Sequence, residues 1–407
     1  MEKFLAFAFL LVALPSSGMV SGNPSGPSSS SISSSLLRLS AANSDFALRL
    51  YKQIASQSGT DSQNIFFSPL SISASLSMLS LGARENTLTQ LLQVLGYSNI
   101  TRNDAVRVGQ IFHELLEHVS KLSDRLKTGN SLYVQEGREI HEKFIREAEE
   151  LYKAKTETVD FREQQRTKDK INAYVSNETE GKIPNILSKS LSQDTVMLLL
   201  NYILFRGNWL RPFNTSRTYE ADFRVDRRTT VKVPMMRRMG SYYRTYARDL
   251  SSDVLLMEYV ENTSLLILLP RPGKLAEVER KLTIQKIYQL LSSLKKCYVE
   301  VHLPKMILKK DYQLKTLLNS MGIRDAFTSD ANFSGLSKWP VKLSEVIQRS
   351  MLKIDERGST ASSSTETEIT VQSAIPKIKI NRPFLLLIAD NQLKSVLFAG
   401  RVANPTA

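Results

Sequence analysis

The chain has 407 residues and a single cysteine, Cys297, which excludes a disulfide framework within the chain and any multi-cysteine metal site. Hydrophobic residues make up 42% and charged residues 23%, so stability has to come from a large core of ordinary composition. Lysine and arginine outnumber aspartate and glutamate by 54 to 40, a net charge of +14 that favours polyanionic partners.

In chain order, MEKFLAFAFLLVALPSSGMVSG places a lysine before an apolar run from Phe4 to Leu14. That run is too short to span a bilayer and suits the core of a secretory signal. Residues 1–21 therefore read as a signal peptide, residues 22–35 as a flexible Ser/Gly/Pro-rich tail, and residues 36–407 as a single domain. No later segment is apolar for long enough to be a transmembrane helix, so a secreted, extracellular address is expected. Five Asn-X-Ser/Thr sequons fit it, at Asn99, Asn177, Asn214, Asn262 and Asn332. That address makes a sulfated polysaccharide the expected polyanion, and nucleic acid is not expected.

From Leu36 the pattern becomes periodic. Phe46, Leu50 and Ile54 repeat at helical spacing, and further helical patterns run through Ser71–Leu95, Val106–Lys127 and Ile140–Lys153. Thr195 to Phe205, TVMLLLNYILF, reads as a fully buried strand interrupted only by Asn201. VLLMEYVENTSLLILLP gives two apolar strands about a polar turn at Glu261–Ser264, and FLLLIADNQLKSVLFAGRV a hairpin turning at Asp390–Asn391. Helices in front and strands behind predict one α+β domain.

Familiar catalytic motifs are absent. HELLEH at 113–118 lacks the second histidine one helical turn after His113, where Glu117 stands. His118 lies about 140° around the helix from His113, so the pair cannot share a ligand face. The segment reads as a solvated helix face. No nucleotide loop or nucleophile elbow is present, so no metal, cofactor or enzymatic activity is expected.

One segment stands out. Between Ser359 and Ala374 the chain has neither Pro nor Gly and is rich in Ser, Thr and Ala. With period two, Ser359, Ala361, Ser363, Thr365, Thr367 and Ile369 fall on one face, and Glu366 and Glu368 on the other. Such a segment can enter a sheet with its small, uncharged face buried, and Gly358 supplies a permissive hinge.

The stretches NIFFSPLSISASLSMLSLGA at 64–83, NETEGKIPNIL at 177–187, NYILFRGNWLRPF at 201–213, VPMM at 233–236, DERGS at 355–359, NRPF at 381–384 and FAGRVANP at 398–405 closely resemble the serpins, inhibitors that trap proteases by loop insertion. The resemblance runs from Leu36 to the C-terminus. It implies a serpin fold of three β-sheets and about nine helices, with an exposed reactive-centre loop over about 356–380. It also implies suicide-substrate inhibition of an extracellular serine protease through a covalent 1:1 complex, by a protein expected to be a monomer.

Family spacing puts the reactive bond at Gln372–Ser373 and the loop hinge at Glu356, Gly358, Ser359 and Ala361. It assigns Ser68, Ser71, Asn201 and Gln348 to the point where the main sheet opens. Trp209 then lies beneath the loop's entry, and Lys305 pairs with Glu356. Lys281, Lys286, Lys295 and Lys296 border a segment resembling a heparin-binding helix. A second basic group, between Arg224 and Arg248, is the alternative polyanion surface. The antitrypsin-like secreted group fits best, and features shared with its protein Z-dependent inhibitors imply protein Z and a coagulation protease as candidate partners, while the basic charge and the lysines at 281–296 make heparin or heparan sulfate another. A non-inhibitory member, carrying a hormone or serving as a peptide precursor, is the other reading. The small hinge residues favour inhibition, while Gln372 suits none of the common protease specificity pockets.

Overall fold

The computed structural model describes residues 32–57, 63–122, 126–260, 262–357 and 375–407. Numbered in chain order, its helices are α1 (Ser34–Gln57), α2 (Pro69–Gly82), α3 (Glu85–Leu95), α4 (Ser98–Thr101), α5 (Ala105–Leu122), α6 (Glu142–Tyr152), α7 (Gln164–Glu178), α8 (Leu275–Lys281), α9 (Ile284–Ser293) and α10 (Lys315–Met321). Its strands are β1 (Ile65–Phe67), β2 (Leu126–Gln135), β3 (Lys155–Val159), β4 (Met197–Phe205), β5 (Tyr219–Arg224), β6 (Thr230–Ala247), β7 (Ser252–Glu258), β8 (Thr263–Pro270), β9 (Lys295–Pro304), β10 (Met306–Gln313), β11 (Glu345–Ile354), β12 (Lys377–Lys379), β13 (Phe384–Asp390) and β14 (Val396–Val402).

Among the described residues the strands form a five-stranded sheet, β10-β11-β4-β2-β3, and a nine-stranded one. The latter runs β1-β14-β13-β8-β7-β6-β9-β12, with β5 paired to β6. The expected three sheets thus appear as two hydrogen-bonded ladders. The reason is β6, which pairs with β5 at its start, β9 along its middle and β7 at its end, joining two layers in one strand.

The five-stranded sheet positions the site. β4 is buried at every residue because both its faces are covered. Met197, Leu199, Ile203 and Phe205 join the main core, while Leu198, Leu200, Tyr202 and Leu204 join a second cluster with Ile171 and Val175 of α7. This two-sided burial explains why the strand reads as an apolar run without alternation. Behind the sheet lies α2, in which every residue is buried. Its serines keep the helix narrow, so it can approach the strands closely, and Ser80 satisfies its hydroxyl on a carbonyl of the preceding turn (2.6 Å).

Four expectations need correction. The helical pattern over Ser71–Leu95 is two helices, α2 and α3, broken at Ala83, whose backbone is extended. Periodicity alone could not show the break, because both helices continue the apolar pattern. The Val106–Lys127 pattern overruns: α5 ends at Leu122, and Leu126 and Lys127 already belong to β2. Nor is HELLEH simply a solvated face: His118 Nε2 lies 3.0 Å from Oδ2 of the fully buried Asp390. The β13–β14 turn tucks beneath α5 there, so one of its polar residues fastens two elements. Ser34 and Ser35, read as tail, already lie in α1.

Candidate functional site

The inner faces of β2, β4 and β11 carry one polar row across an apolar sheet. Gln348 is the register partner of Asn201, and Asn201 is that of Asn130. All three are buried, and α2 presents Ser71 and Ser75 to them, with Ser68 capping the helix start. Gln348 Nε2 lies 2.9 Å from Ser68 O, 2.8 Å from Ser71 Oγ and 3.1 Å from Asn201 Oδ1. Its Oε1 accepts from Ser68 N at 3.3 Å. Ser71 Oγ donates to Asn201 Oδ1 at 2.6 Å, and Asn201 Nδ2 to Asn130 Oδ1 at 2.6 Å, which also accepts from Ser75 Oγ at 2.7 Å. Buried amides and hydroxyls are costly unless paired, so this network fixes the separation of β4 and β11 at one point. Asn130 and Ser75 escaped the sequence reading. Neither departs from its surroundings until the register of β2 on β4 places them in the row.

A second fastening lies where β4 and β11 end. The backbone nitrogens of Trp209 and Phe213 donate to the carbonyls of Arg357 and Glu356, each at 3.0 Å. Trp209 Nε1 donates to Asp355 O at 2.8 Å. The indole is buried, stacked on Tyr259 with ring centroids 4.3 Å apart. Arg206 pairs with Asp355 at 2.8 Å, Lys305 Nζ with Glu356 Oε2 at 2.9 Å, and Thr218 Oγ1 donates to Glu356 Oε1 at 2.9 Å. Burial is the largest influence and pushes both carboxyls up, but Arg206, the Arg357 amide and Lys353 around Asp355, and Lys305 with Thr218 and a backbone amide around Glu356, together hold each below its usual range. The chain leaving β11 is thus bound by backbone, ring and charge to the chain leaving β4. Arg206 and Thr218 had no sequence signal, because their partners are set by the turn after β4.

β4 and β11 are parallel neighbours over eight residue pairs, Glu345–Leu198 to Leu352–Phe205. Chain that leaves β11 and turns straight back would run antiparallel to β11, and so also to β4. The segment that follows β11 is therefore suited in direction to pair with both strands if they part. Gly358, Ser359, Ala361, Gln372 and Ser373 lie outside the described residues.

Of the lysines expected to bind heparin, two are already engaged. Lys281 Nζ lies 2.6 Å from Glu277 Oε1, and the half-buried Lys286 forms an ion pair with Asp249. Lys295 and Lys296 are exposed at the start of β9, and neither makes an ion pair among the described residues. Among the sequons, Asn99, Asn177, Asn214 and Asn262 are exposed and Asn332 is half-buried. No group of metal-binding side chains occurs among the described residues, and no described helix is long and apolar enough to cross a membrane.

A five-stranded sheet with two parallel central strands, locked by a polar row and a tether, defines a class when set beside known proteins. The family profile described as serpin (serine protease inhibitor) matches residues 41–405. The chain belongs to the serpin family. It is 39% identical over 372 residues to alpha-1-antiproteinase of Rattus norvegicus, covering 91% of this chain and 90% of that one. It is 40% identical over 365 residues to alpha-1-antitrypsin of Meriones unguiculatus, covering 89% of each. Among solved structures, mouse protein-Z dependent protease inhibitor matches with a TM-score of 0.85 and 31% identity, over 91% of this chain and 99% of that one. Human thyroxine-binding globulin complexed with thyroxine matches with a TM-score of 0.85 and 35% identity, over 92% and 100%.

Proposed function

We propose that the protein is a secreted inhibitor of an extracellular serine protease, acting once per molecule through a loop at about 356–380. The protease serine attacks the Gln372 carbonyl carbon, the Gln372–Ser373 bond breaks, and the Ser373 amine departs with a proton. The protease is left as an acyl ester on Gln372. The freed segment from Ser359 onward enters between β4 and β11, its small uncharged face inward and Glu366 and Glu368 outward. Such an insertion adds a strand to an existing sheet, as serpin loops do, and releases the strain held in the intact loop. It drags the ester-linked protease away from its original seat and misplaces its catalytic groups. A displacement of about 1 Å already costs ~10²-fold in rate, so deacylation stalls.

The observation that carries this reading is the parallel β4–β11 pair, from which the chain runs directly into a small-residue segment of strand character. Within the same reading, residues 1–21 are a signal, the exposed sequons carry glycans, and the target is a coagulation protease met with heparin, heparan sulfate or protein Z. The likeness to thyroxine-binding globulin supports a second reading, a non-inhibitory carrier. One experiment separates them: incubation with a panel of serine proteases, with and without heparin, then denaturing electrophoresis. An inhibitor gives a denaturation-resistant 1:1 complex and a released peptide beginning at Ser373. A carrier is cut or ignored by every active protease.

A further inference from the structure

β12, Lys377–Lys379, is a three-residue edge of the nine-stranded sheet and pairs with β9 alone. It begins four residues after Ser373, so whatever holds β12 also fixes the C-terminal end of the bait segment. Glu300 N donates to Pro376 O and Ile380 N to His302 O, each at 2.9 Å, and side chains add to these bonds. On β9, Val299, Val301 and Leu303 enter the core, so Glu300 and His302 stand together on the opposite face, yet both are buried. Glu300 is met by Arg237 of β6, by His302 Nε2 at 3.1 Å and by Lys377 Nζ of β12 at 3.4 Å. The register sets Arg237 of β6 and Lys379 of β12 directly opposite His302, one on each side. Tyr219 Oη of β5 lies 2.8 Å from His302 Nδ1. Among the described residues, these are the charged and titratable groups around the pair.

We propose that Glu300 and His302 are positioning residues that hold β12, and with it the C-terminal end of the bait, and that protonation of His302 loosens this hold. The proposal rests on the reading of residues 356–380 as bait. An imidazolium at His302 puts three cations abreast across β6, β9 and β12, and like charges directly opposite destabilise a strand pair. Glu300 favours the imidazolium, but its carboxylate is already shared with Arg237 and Lys377. Burial, with Lys379 and Arg237, holds the His302 ring below its ordinary value. The docked state therefore binds fewer protons than a state with β12 released and the ring in water, so acid favours release. Release becomes easier by up to about tenfold per pH unit as pH falls below about 6.5. Burial pushes the Glu300 carboxyl up, but Arg237, His302 and Lys377 hold it below its usual range, so it stays charged across that window. A bait fixed at one end only reaches a protease in more conformations, and capture slows.

Hydrogen exchange of the full-length protein tests this, read on peptides covering 376–384 and corrected for the intrinsic pH dependence of exchange. In wild type, protection of this segment should fall several-fold between about pH 6.5 and 5.5, while peptides from β13 and β14 keep theirs. His302→Gln should abolish that fall, and Glu300→Gln should lower protection at every pH. Equal falls in wild type and His302→Gln, or no fall in wild type, overturn the proposal. Should His302→Gln fail to fold, Lys379→Gln on the exposed edge carries the comparison. It should keep more protection than wild type at about pH 5.5, and an equal loss overturns the proposal. A second readout uses the protease trapped in the panel. The ratio of wild-type to His302→Gln rates of complex formation, taken at one pH so that the protease's own titration cancels, should fall as the pH is lowered. If no protease in the panel is trapped, the inhibitor reading fails, and exchange alone decides whether acid releases β12.

Discussion

Replacing Gln348 with leucine tests whether the polar row holds β4 and β11 together. Leucine keeps much of the volume and removes the carboxamide, so the cavity contribution is small. The side chain is wholly buried, and its amide contacts Ser68 O, Ser71 Oγ and Asn201 Oδ1 at 2.8–3.1 Å while its carbonyl accepts from Ser68 N. Two amide hydrogens and one carbonyl make about three bonds, each contributing ~1 kcal/mol net, and the stranded Ser68 N adds the cost of an unpaired buried donor. Ser71 still serves Asn201, which limits the damage. The expected loss is about 2–4 kcal/mol, a large share of the ~5–15 kcal/mol typical of a native protein. Urea unfolding of the intact protein measures it. Incubation at moderate temperature, followed by native electrophoresis, should show the variant converting to altered or oligomeric forms while wild type does not. A double cycle with Asn201→Ala should give a coupling above ~0.5 kcal/mol. An unchanged urea midpoint and zero coupling would refute the idea that this row joins the strands.

Three further outcomes follow from the same structure. Glu356 has its folded pKa depressed, so its contribution is complete above the unfolded value of about 4.3 and disappears as pH falls through the lower folded value. The stability gap between wild type and Glu356→Gln, read by urea titration, should be constant from pH 8 to 6 and close in acid; a gap that widens in acid contradicts the assignment. Trp209→Phe keeps the ring stack and loses the bond to Asp355 O, for about 1 kcal/mol, whereas Trp209→Ala should lose ~3–5 kcal/mol, and equal losses would mean the ring does not anchor the tether. Ser359→Arg leaves the bait around Gln372 untouched but asks the sheet to bury an unpaired guanidinium, and each ~1.4 kcal/mol added to insertion slows it about tenfold. It should turn an inhibitor into a substrate, seen as cleavage without a retained complex.

The sequence revealed most where one physical demand dominates. β4 declared itself because burial on both faces leaves no alternation to hide it, and Asn201 stood out in it as the one polar residue facing α2. The β13–β14 hairpin was equally plain from two apolar runs about Asp390. Partners set by the fold were not legible. Asn130 meets Asn201 only through the β2–β4 register, and Arg206 meets Asp355 only because the ends of β4 and β11 coincide. α7 passed unnoticed because a helix lying across a sheet needs few apolar residues, here Ile171 and Val175 with little else. Lys286 looked like a free cation on a helix, and nothing in its neighbourhood along the chain announces Asp249, 37 residues earlier.

If the chain after β11 becomes a strand between β4 and β11, the structure of the protein cleaved at the loop shows it most directly. After one cut at Gln372–Ser373, residues from Ser359 onward should lie antiparallel to both strands. The Leu198–Glu345 to Phe205–Leu352 pairing should then be gone and the Asn201–Gln348 contact broken, in a protein far more resistant to heat than the intact form. A cleaved protein that keeps β4 and β11 hydrogen-bonded to each other, with the cut segment outside the sheet, would contradict the account.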